Sequence, residues 1–147
     1  MSSADAVLAC VLSLLGRSAD SLPPIQLVSQ APVHASEYVE AYVRPNDLTI
    51  YVVTSAAVFR DAQTPDVRCG SPSHNKLASI IAHEEWHVRH GTDERGAYGA
   101  QLKALIRLGV PGDSPTYRGV QRAMLAVIDS KEQQSADISA TSAVRRR

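Results

Sequence analysis

The sequence HEEWH at residues 83–87 lies in a helical segment and constrains the chain more than any other feature. From residue 75 to residue 90 the apolar residues recur at the spacing of a helix, and the segment contains no glycine or proline. Four residues span about one helical turn, so His83 and His87 lie ~6 Å apart on nearly one face. Two imidazoles placed in this way can bind one metal ion. The pattern therefore predicts a metal site on a helix.

The helical spacing also predicts which way the Glu84 side chain points. At about 100° per residue, four apolar residues define an arc that faces the core. Glu84 falls within this arc and both histidines lie at or beside its edge, whereas Glu85 points sideways. A carboxylate that faces a core needs a partner or a catalytic reason, and a metal ion satisfies Glu84 and both histidines together. The arc consists of Leu77, Ile80, Ile81 and Val88.

A third metal ligand is expected soon after this helix, because a catalytic zinc ion usually takes three protein ligands and keeps a fourth position for water. Gly91 is the expected C-cap and turns the chain, so a carboxylate at Asp93 or Glu94 can reach back to the metal. Glu94 is favoured by its longer side chain, and Asp93 is the alternative. His90 is a further alternative, but it lies ~10 Å along the helix axis from His83.

Residues 83–99, with the sequence HEEWHVRHGTDERGAYG, resemble the zincin metallopeptidases, in which an acidic or histidine ligand follows an HExxH helix. Glu94 at the start of a following helix is similar to the ligand of the gluzincins. The stretch GTDE at residues 91–94 is similar to the aspzincin pattern, with Glu in place of Asp. The metzincin spacing points instead to Asp93.

This resemblance implies a zinc metalloendopeptidase that hydrolyses a peptide or protein substrate. His83, His87 and Glu94 would hold Zn²⁺, and Glu84 would take a proton from the zinc-bound water. Tyr98 would stabilise the oxyanion, although packing is the ordinary role of a tyrosine at such a position. The alternative functions are a catalytically inactive zinc-binding or protein-interaction module on the same fold, and a helical interaction domain without a metal.

The expected fold is an α+β, zincin-like single domain over residues 1–132. A short antiparallel or mixed sheet would pack on the active-site helix, with further helices on the N- and C-terminal sides. From Gln133 onward no apolar period is sustained, which predicts a disordered tail to Arg147. The predicted helices span residues 4–16, 55–62, 75–90, 94–108 and 117–132, and the predicted strands span residues 25–28, 38–43 and 48–53.

Composition limits the classes of partner and the compartment. The chain has 147 residues, 15 basic and 15 acidic, so its charge makes no case for nucleic acid or an anionic membrane. No apolar run approaches the ~20 residues of a membrane span, and the N-terminus lacks the basic residues of an export signal. Cys10 and Cys69 are far apart and lack metal-ligand spacing. We therefore expect a soluble, cytoplasmic protein with reduced thiols, with a single bridge or an already removed signal as the alternatives; the oligomeric state is left open.

Overall fold

The computed structural model describes residues 2–32 and 39–145, with side chains described as far as Gln134. This part of the chain is α+β, with five α-helices and one three-stranded mixed sheet, which confirms the predicted fold class. The helices are α1 (Ser3–Leu15), α2 (Ala57–Ala62), α3 (Pro72–His90), α4 (Glu94–Arg107) and α5 (Pro115–Arg145). The strands are β1 (Ile25–Val28), β2 (Ala41–Tyr42) and β3 (Ile50–Val53).

Local capping determines where the first and third helices begin. At α1 the side chains of Ser2 and Asp5 form a reciprocal capping box, and Gly16 ends the helix in the left-handed region at φ 64°. At α3 the Ser71 side chain accepts a hydrogen bond from the backbone N–H of His74, and Pro72 occupies the first turn. Helix α3 therefore begins three residues earlier than the predicted start at residue 75.

The sheet has β3 at its centre, with β1 parallel on one side and β2 antiparallel on the other. The predicted hairpin pairing is confirmed, with Ala41 opposite Val52 and Tyr42 opposite Tyr51. Strand β2 is shorter than the predicted strand over residues 38–43, of which Tyr38 lies outside the described residues. Strand β3 is buried along its whole length, so the sheet packs into the core through its central strand.

The hydrophobic core lies between α3, the sheet and the helices α1 and α2. Three of the four residues of the predicted apolar arc of α3 are buried, and Val88 is half-buried. Packing on this face fixes the orientation of α3 about its own axis, and with it the direction of the polar residues near its end. The fully buried side chains of the core include Val11, Ile50, Val52, Phe59, Leu77 and Ile81.

The cysteines differ from the expectation of reduced thiols. Cys10 on α1 and Cys69 in the loop before α3 form a disulfide, with their Cα atoms 5.7 Å apart. They are separated by 59 positions along the chain, a spacing that gives no sequence signal for pairing. Their proximity arises because α1 packs against α3, which brings the start of the third helix to the middle of the first.

The C-terminal segment also differs from its expectation. Helix α5 continues as far as Arg145, where the sequence predicts a disordered tail from Gln133. No glycine or proline follows Gly119, so nothing in the sequence interrupts the helical backbone.

Among the described residues, no helix combines the length and the apolar composition that crossing a bilayer requires.

Candidate metal centre

The candidate metal centre forms where α3 ends and α4 begins. His83, Glu84 and His87 lie in the last two turns of α3, and Glu94 is the first residue of α4. Between the two helices, Gly91 has φ 100° and ψ −150°, a backbone conformation that residues other than glycine rarely adopt. The helix therefore stops at Gly91, and α4 packs along α3 with Glu94 facing both histidines.

Three side chains converge at this junction. Nε2 of His83 lies 3.2 Å from Nε2 of His87 and 3.3 Å from Oε2 of Glu94. Nε2 of His87 lies 3.2 Å from Oε1 of Glu94. These three residues form a group in the described chain that could hold a metal ion. The structure thus brings together the three residues that the sequence suggested as ligands.

Hydrogen bonds at the other ring nitrogens determine which tautomer each histidine adopts. Nδ1 of His87 lies 2.7 Å from the carbonyl oxygen of Gly91, which can only accept, so the ring donates its Nδ1–H. Nδ1 of His83 lies 2.9 Å from Oε1 of Gln101. The Gln101 amide is oriented by its Nε2, which donates to the Ser79 hydroxyl at 3.3 Å. In a neutral ring with its proton on Nδ1, Nε2 is the nitrogen that carries the lone pair.

The convergent atoms are consequently all electron-pair donors: two imidazole nitrogens and a carboxylate. Lone pairs that face one another at this distance repel unless a cation lies between them. Bonds of about 2.0–2.1 Å to a tetrahedral ion would place the ligand atoms about 3.3–3.4 Å apart, close to the three distances found here. Two histidines and one glutamate also make up one of the donor sets of catalytic zinc sites. The residues present therefore fit a zinc ion.

The alternative ligands have other roles in the structure. Asp93 is the N-cap of α4, and its carboxylate accepts hydrogen bonds from the backbone N–H groups of Arg95 and Gly96. His90 is exposed, and its imidazole contacts the ring of Trp86 at a tilt of 39°, with ring centroids 4.9 Å apart. Neither side chain belongs to the convergent group of described residues.

Glu84 is buried next to this group, with 9% of its surface exposed. Burial, and then the nearby negative charge of Glu94, raises the pKa of the Glu84 carboxyl to about 8. Burial likewise lowers the pKa of His83, which favours the neutral imidazole that a metal requires. A cation at the centre would lower the pKa of the Glu84 carboxyl, because an adjacent positive charge stabilises the carboxylate. This effect is opposite to that of the Glu94 charge.

Tyr98 lies one turn after Glu94, on the side of α4 that faces the metal group. Its ring contacts the His83 ring edge to face, with centroids 4.6 Å apart. Burial is the main cause that raises the pKa of its phenol, followed by the charges of Glu94 and Glu84. Among the residues that the structure describes, its hydroxyl makes no hydrogen bond, which leaves this group available at the site.

A cleft passes over the metal group. We call it the metal cleft; it consists of two cavities, of about 440 and 690 Å³, that share Ala41, His83 and Glu84. Residues 41–48, from β2 to the turn before β3, line the larger cavity, and the first turns of α5 line the smaller one. Strand β2 is the sheet edge that borders both cavities, and its outer side pairs with no other strand of the described chain.

Two polar contacts around the site were not predicted from sequence. The Gln101 contact to His83 has a weak signal, because Gln101 follows Glu94 by seven residues and so returns to the same face of α4. The Glu85 carboxylate has partners on both sides, Arg17 at 2.7 Å and Arg89 at 3.0 Å. Glu85 lies beside the metal group and outside it, as its helical angle predicts.

Comparisons of this chain with models of protein families, with curated proteins and with solved structures found no match. The functional interpretation therefore depends on the geometry and chemistry of the site.

Proposed function

We propose that the protein is a zinc-dependent metallopeptidase with a small zincin-like fold. His83, His87 and Glu94 hold the zinc ion, and Glu84 is the general base. One observation carries the proposal, namely the convergence of two imidazoles and a carboxylate beside the buried Glu84 in an open cleft. In both histidines an acceptor oxygen faces Nδ1, which leaves Nε2 directed at the group. A hydrolytic metal site accounts for all of these features together.

When bound, zinc supplies a Lewis acid that polarises the scissile carbonyl and makes water acidic enough to lose a proton near neutral pH. Glu84 accepts that proton as the water oxygen adds to the carbonyl carbon. The carbon–nitrogen bond then breaks, and Glu84 returns the proton to the leaving amine. The nearly dry setting of Glu84 suits this role, because few water molecules compete for the proton that it accepts and returns.

The cleft geometry supports an extended peptide as the substrate. Because the outer edge of β2 along the metal cleft pairs with no strand of the described residues, a peptide can add to it as a further strand through main-chain hydrogen bonds. The two cavities then accept side chains on either side of the scissile bond. The hydroxyl of Tyr98 donates to the developing oxyanion. In Tyr98→Phe, kcat should fall by roughly 10-fold or more with KM little changed, and an unchanged kcat would leave Tyr98 as a packing residue.

The decisive experiment combines metal analysis with turnover. Purified protein should contain one zinc per chain, and it should cleave an unfolded protein such as reduced, alkylated casein until a chelator removes the metal. Glu84→Gln should keep the zinc and lose about 10²–10⁴-fold in rate. Asp66→Asn, an exposed acid far from the cleft residues, is the matched control and should behave as the wild type.

Four outcomes would contradict parts of the proposal. Protein without stoichiometric metal would reject the site as a whole. Equal cleavage by Glu84→Gln and the wild type would reject Glu84 as the base. Bound zinc without cleavage by the wild type would favour the catalytically inactive module. In Glu94→Ala, unchanged zinc affinity would reject Glu94 as the third ligand.

A further inference from the structure

A second cavity, of about 490 Å³, lies on the side of α3 opposite the metal cleft. We call it the Trp86 cavity; it is enclosed by the end of α1, by α3 and by α4. None of the three candidate metal ligands lines it, and it shares no residue with the metal cleft. Its volume lies within the roughly 300–1,000 Å³ range of small-molecule sites.

The interior of the Trp86 cavity is flat and apolar. The Trp86 indole lies directly over Gly96, where an added Cβ would overlap the ring. One turn further along α4, a Cβ added to Gly99 would meet no atom within 4 Å, so the space above Gly99 is open. Leu14, Leu15, Ala100 and Leu108 complete the apolar lining. The indole, which His90 also contacts, borders this open space, so a flat apolar group in the space can pack against Trp86.

The rim of the same cavity carries an excess of positive charge. Arg17 and Arg89 share a single carboxylate, that of Glu85. Lys103 and Arg107 are exposed and have no ion pair among the side chains that the structure describes. Four cations thus face one anion around the cavity, in a chain whose formal net charge is zero. Such a local excess attracts a negatively charged ligand.

We propose that the Trp86 cavity is a binding site for an amphipathic organic anion, with a flat apolar body that stacks on Trp86 and a carboxylate, phosphate or sulfonate group held by Lys103 and Arg107. Guanidinium and ammonium groups are the usual protein partners of these anions. The site is separate from the metal centre, and it is present whether or not the metal centre catalyses hydrolysis.

The chain offers a direct readout, because Trp86 is its only tryptophan. The probe is 1-anilinonaphthalene-8-sulfonate, an aromatic anion, and the matched probe is N-phenyl-1-naphthylamine, which lacks the sulfonate. Titration of the folded protein with the anionic probe should quench Trp86 emission with one site per chain. The uncharged probe should bind at least 10-fold more weakly. Unchanged Trp86 emission, or equal affinity for the two probes, would overturn the proposal.

Two variants separate cavity binding from binding elsewhere. Gly99→Leu places a side chain in the open space and retains every charge, and leucine is a better helix former than glycine, so the variant should fold. It should lose at least 10-fold in affinity for the anionic probe. Lys103→Ala/Arg107→Ala should show a similar loss for the anionic probe and unchanged binding of the uncharged one.

Arg122→Ala is the matched control, because Arg122 is an exposed cation on α5 outside the cavity, and it should bind as the wild type does. Wild-type affinity in Gly99→Leu would overturn the assignment of the cavity. If an acidic peptide perturbs Trp86 emission and the anionic probe does not, the occupant is a protein segment and the proposal as stated is wrong.

Discussion

Gln101 lies outside the proposed ligand set and restrains the ring of His83 through a hydrogen bond. Its Oε1 accepts the Nδ1–H of His83, and its own amide is oriented by Ser79. Gln101→Leu removes the acceptor, so His83 loses the restraint that keeps Nε2 unprotonated and directed at the metal. Zinc affinity should fall by about 10- to 100-fold, measured by competition with a chromogenic chelator.

The matched variant at this position is Gln101→Glu, which retains an oxygen acceptor for the Nδ1–H of His83. It should hold zinc within a few-fold of the wild type, since a carboxylate is a common partner of a metal-bound histidine. Equal losses in the two variants would show that packing at residue 101, rather than the hydrogen bond to His83, matters for the metal.

Glu84 links the site to the stability of the metal-free protein. Its pKa is raised to about 8, from an ordinary value of 4.5. Between these values the unfolded chain has released a proton that the folded chain retains, so the contribution of Glu84 to stability decreases as pH rises. Glu84→Gln does not titrate. Its stability relative to the wild type should therefore increase with pH, by up to about 1.4 kcal/mol per unit.

Urea denaturation in the presence of a chelator, from pH 5 to pH 8, measures this difference. The two proteins should be of similar stability at pH 5, with Glu84→Gln more stable by roughly 2–4 kcal/mol at pH 8. His83 titrates in both proteins, so its contribution largely cancels. A stability difference that does not vary with pH would show that Glu84 is already ionised in the metal-free fold.

At the scale of elements, the junction between α3 and α4 is the feature on which the metal centre depends. Gly91 ends α3 in a conformation that favours glycine, its carbonyl oxygen accepts from His87, and α4 then begins with Glu94. Gly91→Ala should destabilise the fold by roughly 1–3 kcal/mol. It should also weaken zinc binding, because it displaces both the acceptor for His87 and the proposed third ligand, Glu94.

Thermal denaturation and chelator competition measure the two effects of Gly91→Ala. The control is Gly112→Ala, since Gly112 does not have a positive φ and a Cβ there would meet no atom within 4 Å. Gly112→Ala should leave stability within about 0.5 kcal/mol and zinc affinity unchanged. If Gly91→Ala retains both properties, the conformation at the junction is not what positions Glu94.

At the scale of the whole molecule, the disulfide between Cys10 and Cys69 joins the first helix to the loop that leads into the metal-site helix. A bridge that closes 59 residues restricts the unfolded chain strongly. Its loss in Cys10→Ser/Cys69→Ser should cost about 4 kcal/mol of unfolding free energy on the chain-entropy estimate. Urea denaturation of the oxidised, reduced and substituted proteins measures the cost.

The reduced wild type serves as the control, because it should match the double variant if the covalent bond is the cause. Detection of two free thiols in the folded, non-reduced protein would contradict the bridge. Since such bonds persist mainly in oxidising compartments, their presence would also count against the expected cytoplasmic location.

The sequence by itself determined the features that depend on neighbours along the chain. The helical spacing of His83 and His87, the inward direction of Glu84 and the break at Gly91 all follow from local backbone geometry, and the structure places each as predicted. The different positions of the Asp93 and Glu94 carboxylates became visible only in the structure, because both residues stand at the start of the same helix. Capping of Arg95 and Gly96 engages the Asp93 carboxylate and leaves that of Glu94 to face the histidines.

Only the tertiary structure decided the contacts between residues far apart in sequence. The Gln101 partner of His83, the Cys10–Cys69 bridge, the edge strand along the metal cleft and the Trp86 cavity all depend on how helices and strands pack. Packing is set by the combined burial of many side chains, so no single stretch of sequence carries it. Helical periodicity therefore predicts a motif and its orientation, whereas the second cavity appears only once α1, α3 and α4 are assembled.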